Sequence, residues 1–130
     1  MGYTRYWKRT NKAITQEFLG KVNEILADCK RRGIIIRGWD GKGEPEVTLD
    51  RVALNGNRET DLDHETFSID DGQGDEFYIG DSRFCKTARK PYDYAVRKIL
   101  RAARDMGLVR DVSSDGRNED IVSDSEWLEA

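Results

Sequence analysis

The chain has few of the residues that build metal centres and redox sites. Its 130 residues include one histidine, His64, and two cysteines, Cys29 and Cys85. A lone histidine excludes a two-histidine metal centre, and Ser68 occupies the place where an HExxH motif starting at His64 needs its second histidine. The cysteines lack zinc-site spacing and, this far apart, are weak evidence for a disulfide. We expect reduced, half-buried thiols, no metal and no cofactor.

Long apolar runs are also missing. No stretch approaches the ~18 apolar residues that a membrane span needs, and the first ten residues lack the apolar centre of a signal peptide. We therefore expect a cytoplasmic protein with no membrane partner. Apolar residues make up 37% of the chain and charged residues 36%, which predicts a thin core beneath an ionic surface. The length fits one domain.

Charge is present in both signs, and it is segregated along the chain. Residues 61–82 carry eight acidic side chains and no basic one, whereas residues 83–104 carry eight Lys or Arg and one acid, Asp93. Residues 105–130 then carry eight acids and two Arg. A concentrated basic element needs an anionic partner, either inside the protein or outside it. We lean slightly to the internal partner, in which residues 61–82 neutralise the basic block.

Local patterns predict two helices and several short strands. Apolar residues recur at helical spacing over residues 15–32, between Thr15 and a C-terminal Gly33. A second helix is predicted from Pro91, which suits a first turn, to Gly107. Aromatic, β-branched and turn residues predict strands at Tyr3–Lys8, Ile34–Arg37, Val47–Leu54, Thr66–Ile69, Phe77–Ile79 or Arg83–Lys86, and Leu108–Val112.

This element order predicts an α+β fold of the two-layer sandwich type. Strands joined by short turns favour an antiparallel sheet of about five strands, and two amphipathic helices would cover one face of it. We expect the inner face to hold Val52, Leu54, Phe67, Ile69, Phe77, Ile79 and Phe84. Residues 1–116 would form a single domain, and residues 117–130 a loosely ordered acidic C-terminal tail.

Several segments together resemble an uncharacterised family of small bacterial and phage proteins. They are YTRYW at 3–7, GKGEPEV at 41–47, LNG at 54–56, HETF at 64–67, FCKTARKPYD at 84–93 and SSDG at 113–116. The resemblance implies a small, stand-alone, phage-related domain. It brings no activity, cofactor or substrate with it.

The strongest candidate site is the basic segment at the start of the second helix. Helix N-termini favour anions, and aromatic side chains there offer a stacking surface. We predict a non-enzymatic interaction module that binds an anionic ligand or an acidic protein surface. Its predicted ligand-binding residues are Lys86, Arg89, Lys90, Tyr92, Arg97, Arg101 and, on a glycine-rich loop, Trp39.

Two other classes of function remain open. A small hydrolase or nuclease would need His64, Glu65, Lys86 and Asp93 to converge with Arg89 and Asp115 on one polar pocket, with His64 as a general base. A nucleic-acid-binding protein would use the basic stripe of the second helix, formed by Arg97, Arg101 and Arg104. The sequence pI of about 5.3 disfavours a polyanionic partner.

Overall fold

The fold is known from a computed structural model, which describes residues 3–71 and 82–114. This part of the chain forms six strands and two helices, with four of the strands between the helices and a short 3-10 turn at Arg58–Thr60. The elements are β1 (Thr4–Arg9), α1 (Gln16–Arg31), β2 (Glu46–Val47), β3 (Arg51–Leu54), β4 (Phe67–Asp70), β5 (Ser82–Lys86), α2 (Asp93–Asp105) and β6 (Val109–Ser114). No helix within the described residues is long and apolar enough to cross a membrane.

The described strands form two antiparallel sheets of three strands, in the orders β5-β1-β6 and β2-β3-β4. The predicted α+β class with two helices is confirmed, whereas one sandwich sheet of about five strands is not. The main difference lies in β5, which pairs with β1 and so belongs to the other sheet from β4. The two sheets share one core, in which the rings of Trp7 and Phe67 lie 5.3 Å apart.

Register decides which side of β5 faces the core. Phe84 was predicted on the inner face, but it is 56% exposed, and Cys85 is fully buried in its place. Successive strand residues point to opposite faces, so only one of these two neighbours can enter the core. The other described inner-face predictions hold, since Val52, Leu54, Phe67 and Ile69 are buried. Phe77 and Ile79 lie outside the described residues, as do residues 117–130.

Both helices begin and end close to the residues that the sequence indicated. The Thr15 hydroxyl accepts a hydrogen bond from the Phe18 amide and caps α1, which satisfies one orphan donor of its first turn. Gly33 and Gly107 follow the two helices with φ of 77° and 79°, a conformation that glycine adopts without steric cost. The helices pack against each other, and α2 also packs against β6.

Two predicted strands differ from the observed backbone. Residues 47–54 do not form one strand, because Thr48 turns the chain and its hydroxyl accepts hydrogen bonds from the amides of Asp50 and Arg51. The result is the β2–β3 hairpin. Residues 34–37 form only an isolated bridge between Arg37 and Asn55. Ile34 and Ile36 pack against the core without joining a sheet, whereas Ile35 is exposed.

The side chain of Arg9 links the two sheets at one end of β1. Its guanidinium donates hydrogen bonds of 2.7–2.9 Å to four backbone carbonyls, those of Asp70, Thr10, Leu108 and Lys12. The side chain is 4% exposed. Burial lowers the pKa of Arg9, and the charges of Asp71 and Asp70 oppose that shift. These four carbonyls therefore stabilise the buried guanidinium within the fold.

Candidate functional site

A basic cleft lies at the opposite end of β1. It has a volume of about 460 Å³ and is open to solvent. Strand β1, the loop before α2, the first turns of α2 and the segment after α1 all contribute to it. Among the described residues, those that line it are Tyr3, Arg5, Ile34, Arg89, Lys90, Pro91, Asp93, Tyr94 and Arg97. Four of these carry a positive charge and one carries a carboxylate, so we call this feature the basic cleft.

The carboxylate of the cleft is already engaged by its neighbours. Asp93 Oδ1 accepts hydrogen bonds from Arg5 Nε at 2.9 Å and from the Thr87 hydroxyl at 2.7 Å, and Oδ2 accepts one from Arg5 Nη2 at 2.6 Å. The Arg5 and Asp93 side chains are 4% and 15% exposed. A bidentate pair of this kind fixes both partners in orientation as well as distance. The Arg5–Asp93 pair therefore forms the buried floor of the cleft.

A tight turn places Arg89 at the rim. The Lys90 amide donates to the Thr87 carbonyl, while the Thr87 and Ala88 amides both donate to the carbonyl of Tyr3. Ala88 and Arg89 have φ of 54° and 56°, the pattern of a type I′ turn in residues other than glycine. Each such residue costs roughly 1–2 kcal/mol. The turn holds the Arg89 guanidinium 3.9 Å from the centre of the Tyr3 ring.

Aromatic rings and cations alternate across the cleft. The Tyr3 ring also lies 4.9 Å from the guanidinium of Arg5, and the Tyr94 ring lies 5.2 Å from that of Arg97. Burial lowers the pKa of Arg97, the nearby positive charge of Arg5 lowers it further, and Asp93 opposes both effects. Like charges are thus held close together where solvent screens them incompletely.

The structure brings together part of the predicted ligand-binding set. Arg89, Lys90 and Arg97 line the cleft, and Lys90 Nζ also donates to the carbonyl of Asp61. Tyr92 is buried in the core, where its hydroxyl donates to the carbonyl of Glu65 at 2.6 Å. This burial raises the pKa of Tyr92.

The remaining predicted ligand residues lie elsewhere. Lys86 is exposed at the end of β5 and does not line the cleft. Arg101 lines a groove between α1 and α2 and pairs with Asp105 at 3.6 Å. Trp39 is 65% exposed, and its carbonyl accepts a hydrogen bond from the Thr66 hydroxyl.

The residues of the enzyme hypothesis are spread over more than one surface. His64 is exposed, and its amide donates to the buried side chain of Asn55. Glu65 Oε1 accepts from the Lys86 amide. Asp93 lies in the cleft without His64, Glu65 or Lys86 among the lining residues. Asp115 lies outside the described residues.

Cys85 is a potential nucleophile that lies next to Glu65. Burial raises its pKa to about 12, and the charge of Glu65 adds to the shift. Its thiol donates to the Glu65 carbonyl at 3.5 Å. At neutral pH the side chain is therefore a protonated thiol, whereas nucleophilic attack requires the thiolate. Among the described residues, no group of three or more His, Cys, Asp or Glu side chains is arranged to hold a metal ion.

Sequence reasoning missed the part of the site that β1 supplies. Tyr3 and Arg5 lie on the same face of the strand as Trp7, and all three are buried. The sequence shows this alternation, and an arginine that lies between two inward aromatic residues needs a buried hydrogen-bonding partner. The partner, Asp93, is 88 residues away in the chain. Spacing alone gives no means of joining the two.

Comparisons of the chain with protein-family models, curated proteins and solved structures give no match.

Proposed function

We propose that this protein is a non-enzymatic binding module that takes a compact anionic group in the basic cleft. The observation that carries the proposal is the charge of the lining, with four cationic side chains and one carboxylate. That carboxylate accepts three hydrogen bonds from Arg5 and Thr87, which occupy both of its oxygens. Arg89 and Arg97 supply planar guanidinium groups, which suit the oxygens of phosphate or carboxylate.

The size and the surroundings of the cleft favour a compact anion over an extended polyanion. The basic side chains further along α2 meet carboxylates, because both Arg101 and Arg104 lie within 4 Å of Asp105. Arg101 also shares its groove with Glu24 and Asp28. A nucleic acid following α2 would meet these negative charges beyond the cleft. A phosphate or a carboxylate-bearing side chain would contact the cleft alone.

The enzyme alternative receives less support from the same geometry. Asp93 is the carboxylate among the described lining residues of the cleft, and both of its oxygens are already held by hydrogen bonds from Arg5 and Thr87. His64, the expected general base, is not part of the lining. Binding without turnover is the simpler chemistry for this arrangement.

Calorimetric titration with pyrophosphate at low salt tests the proposal. Arg89→Ala should weaken binding by about tenfold, the effect of losing one charge-assisted contact of about 1.4 kcal/mol. Arg104→Ala is the matched control, since it removes the same charge from α2 outside the cleft. It should change the affinity less than about twofold. Equal losses in both variants, or no measurable binding by the parent, would contradict the proposal.

A further inference from the structure

Another groove lies between α1 and the segment that follows it. It has a volume of about 660 Å³. Leu26 and Ala27 of α1 line one part of it, and Pro45, just before β2, lines another. The isoleucine run at residues 34–36 also lines it. Since most of these side chains are apolar, we call this feature the apolar groove.

The isoleucine run presents one of its three side chains to solvent. Ile34 and Ile36 pack against the core, whereas Ile35 is 45% exposed. In the described chain, this run pairs with a strand only through the bridge between Arg37 and Asn55. Exposed apolar surface that adjoins an apolar groove gains free energy when a partner covers it. Ile35 and the groove therefore form one surface suited to a protein partner.

The lining of the apolar groove carries charges of both signs. Lys30 and Arg37 supply positive charge, and Glu44 supplies a carboxylate. Within residues 3–71 and 82–114, no ion pair engages any of the three, and Arg37 Nε donates a long hydrogen bond of 3.5 Å to Asn57. A partner surface of one sign would repel part of this lining. A partner surface that carries both signs complements it.

We propose that the apolar groove is the interface of a twofold-symmetric homodimer, in which Ile35 of each copy packs into the groove of the other. A twofold interface uses the same patch on both copies, so the patch must be complementary to itself. An exposed isoleucine beside an apolar groove meets this requirement in shape. Glu44 of one copy and the cations Lys30 and Arg37 of the other meet it in charge.

The inference goes beyond the proposed function and does not depend on it. The described linings of the apolar groove and the basic cleft have Ile34 alone in common. An anion in the cleft and a second copy on the groove are therefore separate events with separate measurements.

The size of the apolar groove predicts a weak dimer. A standard stable interface uses about 20–30 residues from each partner, whereas ten described residues line the groove. We therefore expect a dissociation constant on the order of 100 µM.

Sedimentation equilibrium of the full chain tests the inference. The weight-average mass should rise from close to the monomer value of 14.9 kDa at about 10 µM to about 1.8 times that value at about 1 mM. Ile35→Lys should weaken dimerisation by about tenfold or more, because it places a charge in the apolar contact. Ala27→Lys, at an exposed position of α1 in the groove lining, should do the same.

Leu49→Lys is the matched control. Leu49 is 46% exposed, lies between β2 and β3 outside the groove lining, and gains the same charge. It should leave the dissociation constant within about twofold of that of the parent. Circular-dichroism melts identify the variants that remain folded.

Three results would overturn the inference. The first is a parent that keeps the monomer mass at about 1 mM. The second is dimerisation as strong as that of the parent in the folded groove variants. The third is an equal weakening by Leu49→Lys, which would indicate association through general surface properties.

Discussion

Strand β1 carries a buried arginine near each end, and the two are satisfied in different ways. Arg9 donates to four backbone carbonyls and joins β4, the segment after β1 and the residue before β6. Arg5 donates to one carboxylate, that of Asp93, at the N-terminus of α2. Both side chains are under 5% exposed. Burial alone therefore does not separate a structural cation from one that belongs to a binding site.

The difference lies in what surrounds each guanidinium. The charges that act on Arg9 include Asp70 and Asp71, so the fold supplies negative charge at that end. Around Arg5, the described residues of the cleft include Arg89, Lys90 and Arg97 together with one carboxylate, that of Asp93. We infer that the Arg9 end of the strand serves stability and the Arg5 end serves binding. Each of the predictions below separates these two roles.

The largest expected effect is at Arg9. Arg9→Met should lower the free energy of unfolding by about 3 kcal/mol or more, because it strands several buried carbonyls. Lys8→Met is the control on the same strand, where the side chain is 39% exposed and lies 3.9 Å from Asp111. It should change stability by less than about 0.5 kcal/mol. Urea unfolding measures the stability of both variants. Similar midpoints for the two would show that Arg9 does not have the structural role inferred for it.

Asp93→Asn should destabilise the protein less than Arg9→Met does, and it should strengthen the binding of an anion. The amide keeps one oxygen for Arg5 and Thr87 but loses the charge, so we expect a loss of about 2 kcal/mol. Pyrophosphate affinity should rise, because the change removes the one carboxylate among the described residues of the lining. Asp105→Asn, at an exposed ion pair of α2, should change neither quantity much. A fall in affinity for Asp93→Asn, with the fold intact, would mean that Asp93 itself takes part in ligand recognition.

The smallest expected effect is a gain in stability at the turn that holds Arg89. Ala88→Gly removes a Cβ at φ 54° and should stabilise the protein by about 1 kcal/mol. Pyrophosphate binding should be unchanged, since no charge is altered. Ala27→Gly makes the same chemical change inside α1 and should destabilise by about 1 kcal/mol. Thermal melts that shift in the same direction for both variants would show that the turn is not strained.

Local sequence signals predicted the two helices well. The strand pairing was harder to predict, because it joins residues that lie far apart in the chain. Thr15, Gly33 and Gly107 mark helix ends because capping depends on residues a few positions apart. The partner of β5 depends on β1, which is about eighty residues away in the chain. A shift of the β5 register by one residue decides whether Phe84 or Cys85 faces the core, and both side chains are apolar enough to be buried there. Composition alone therefore does not determine the register of β5.

The candidate site divides in the same way. The basic segment before α2 was visible from charge, and Arg89, Lys90 and Arg97 do line one cleft. Arg101, one turn beyond Arg97, lies in another groove because α1 packs against that face of α2. Only the tertiary structure places Tyr3 and Arg5 beside the helix. The sequence thus predicted a region, and the fold selected its members.

The most direct test of the central claim resolves each arginine separately. Pyrophosphate is titrated into the isotope-labelled protein while the Nε–Hε signals of the arginine side chains are followed by NMR. Binding in the basic cleft predicts saturable shifts of the Arg89 and Arg97 signals, together with an unchanged signal from Arg9. Shifts confined to Arg101 and Arg104, or no saturable shift at any arginine, would contradict it.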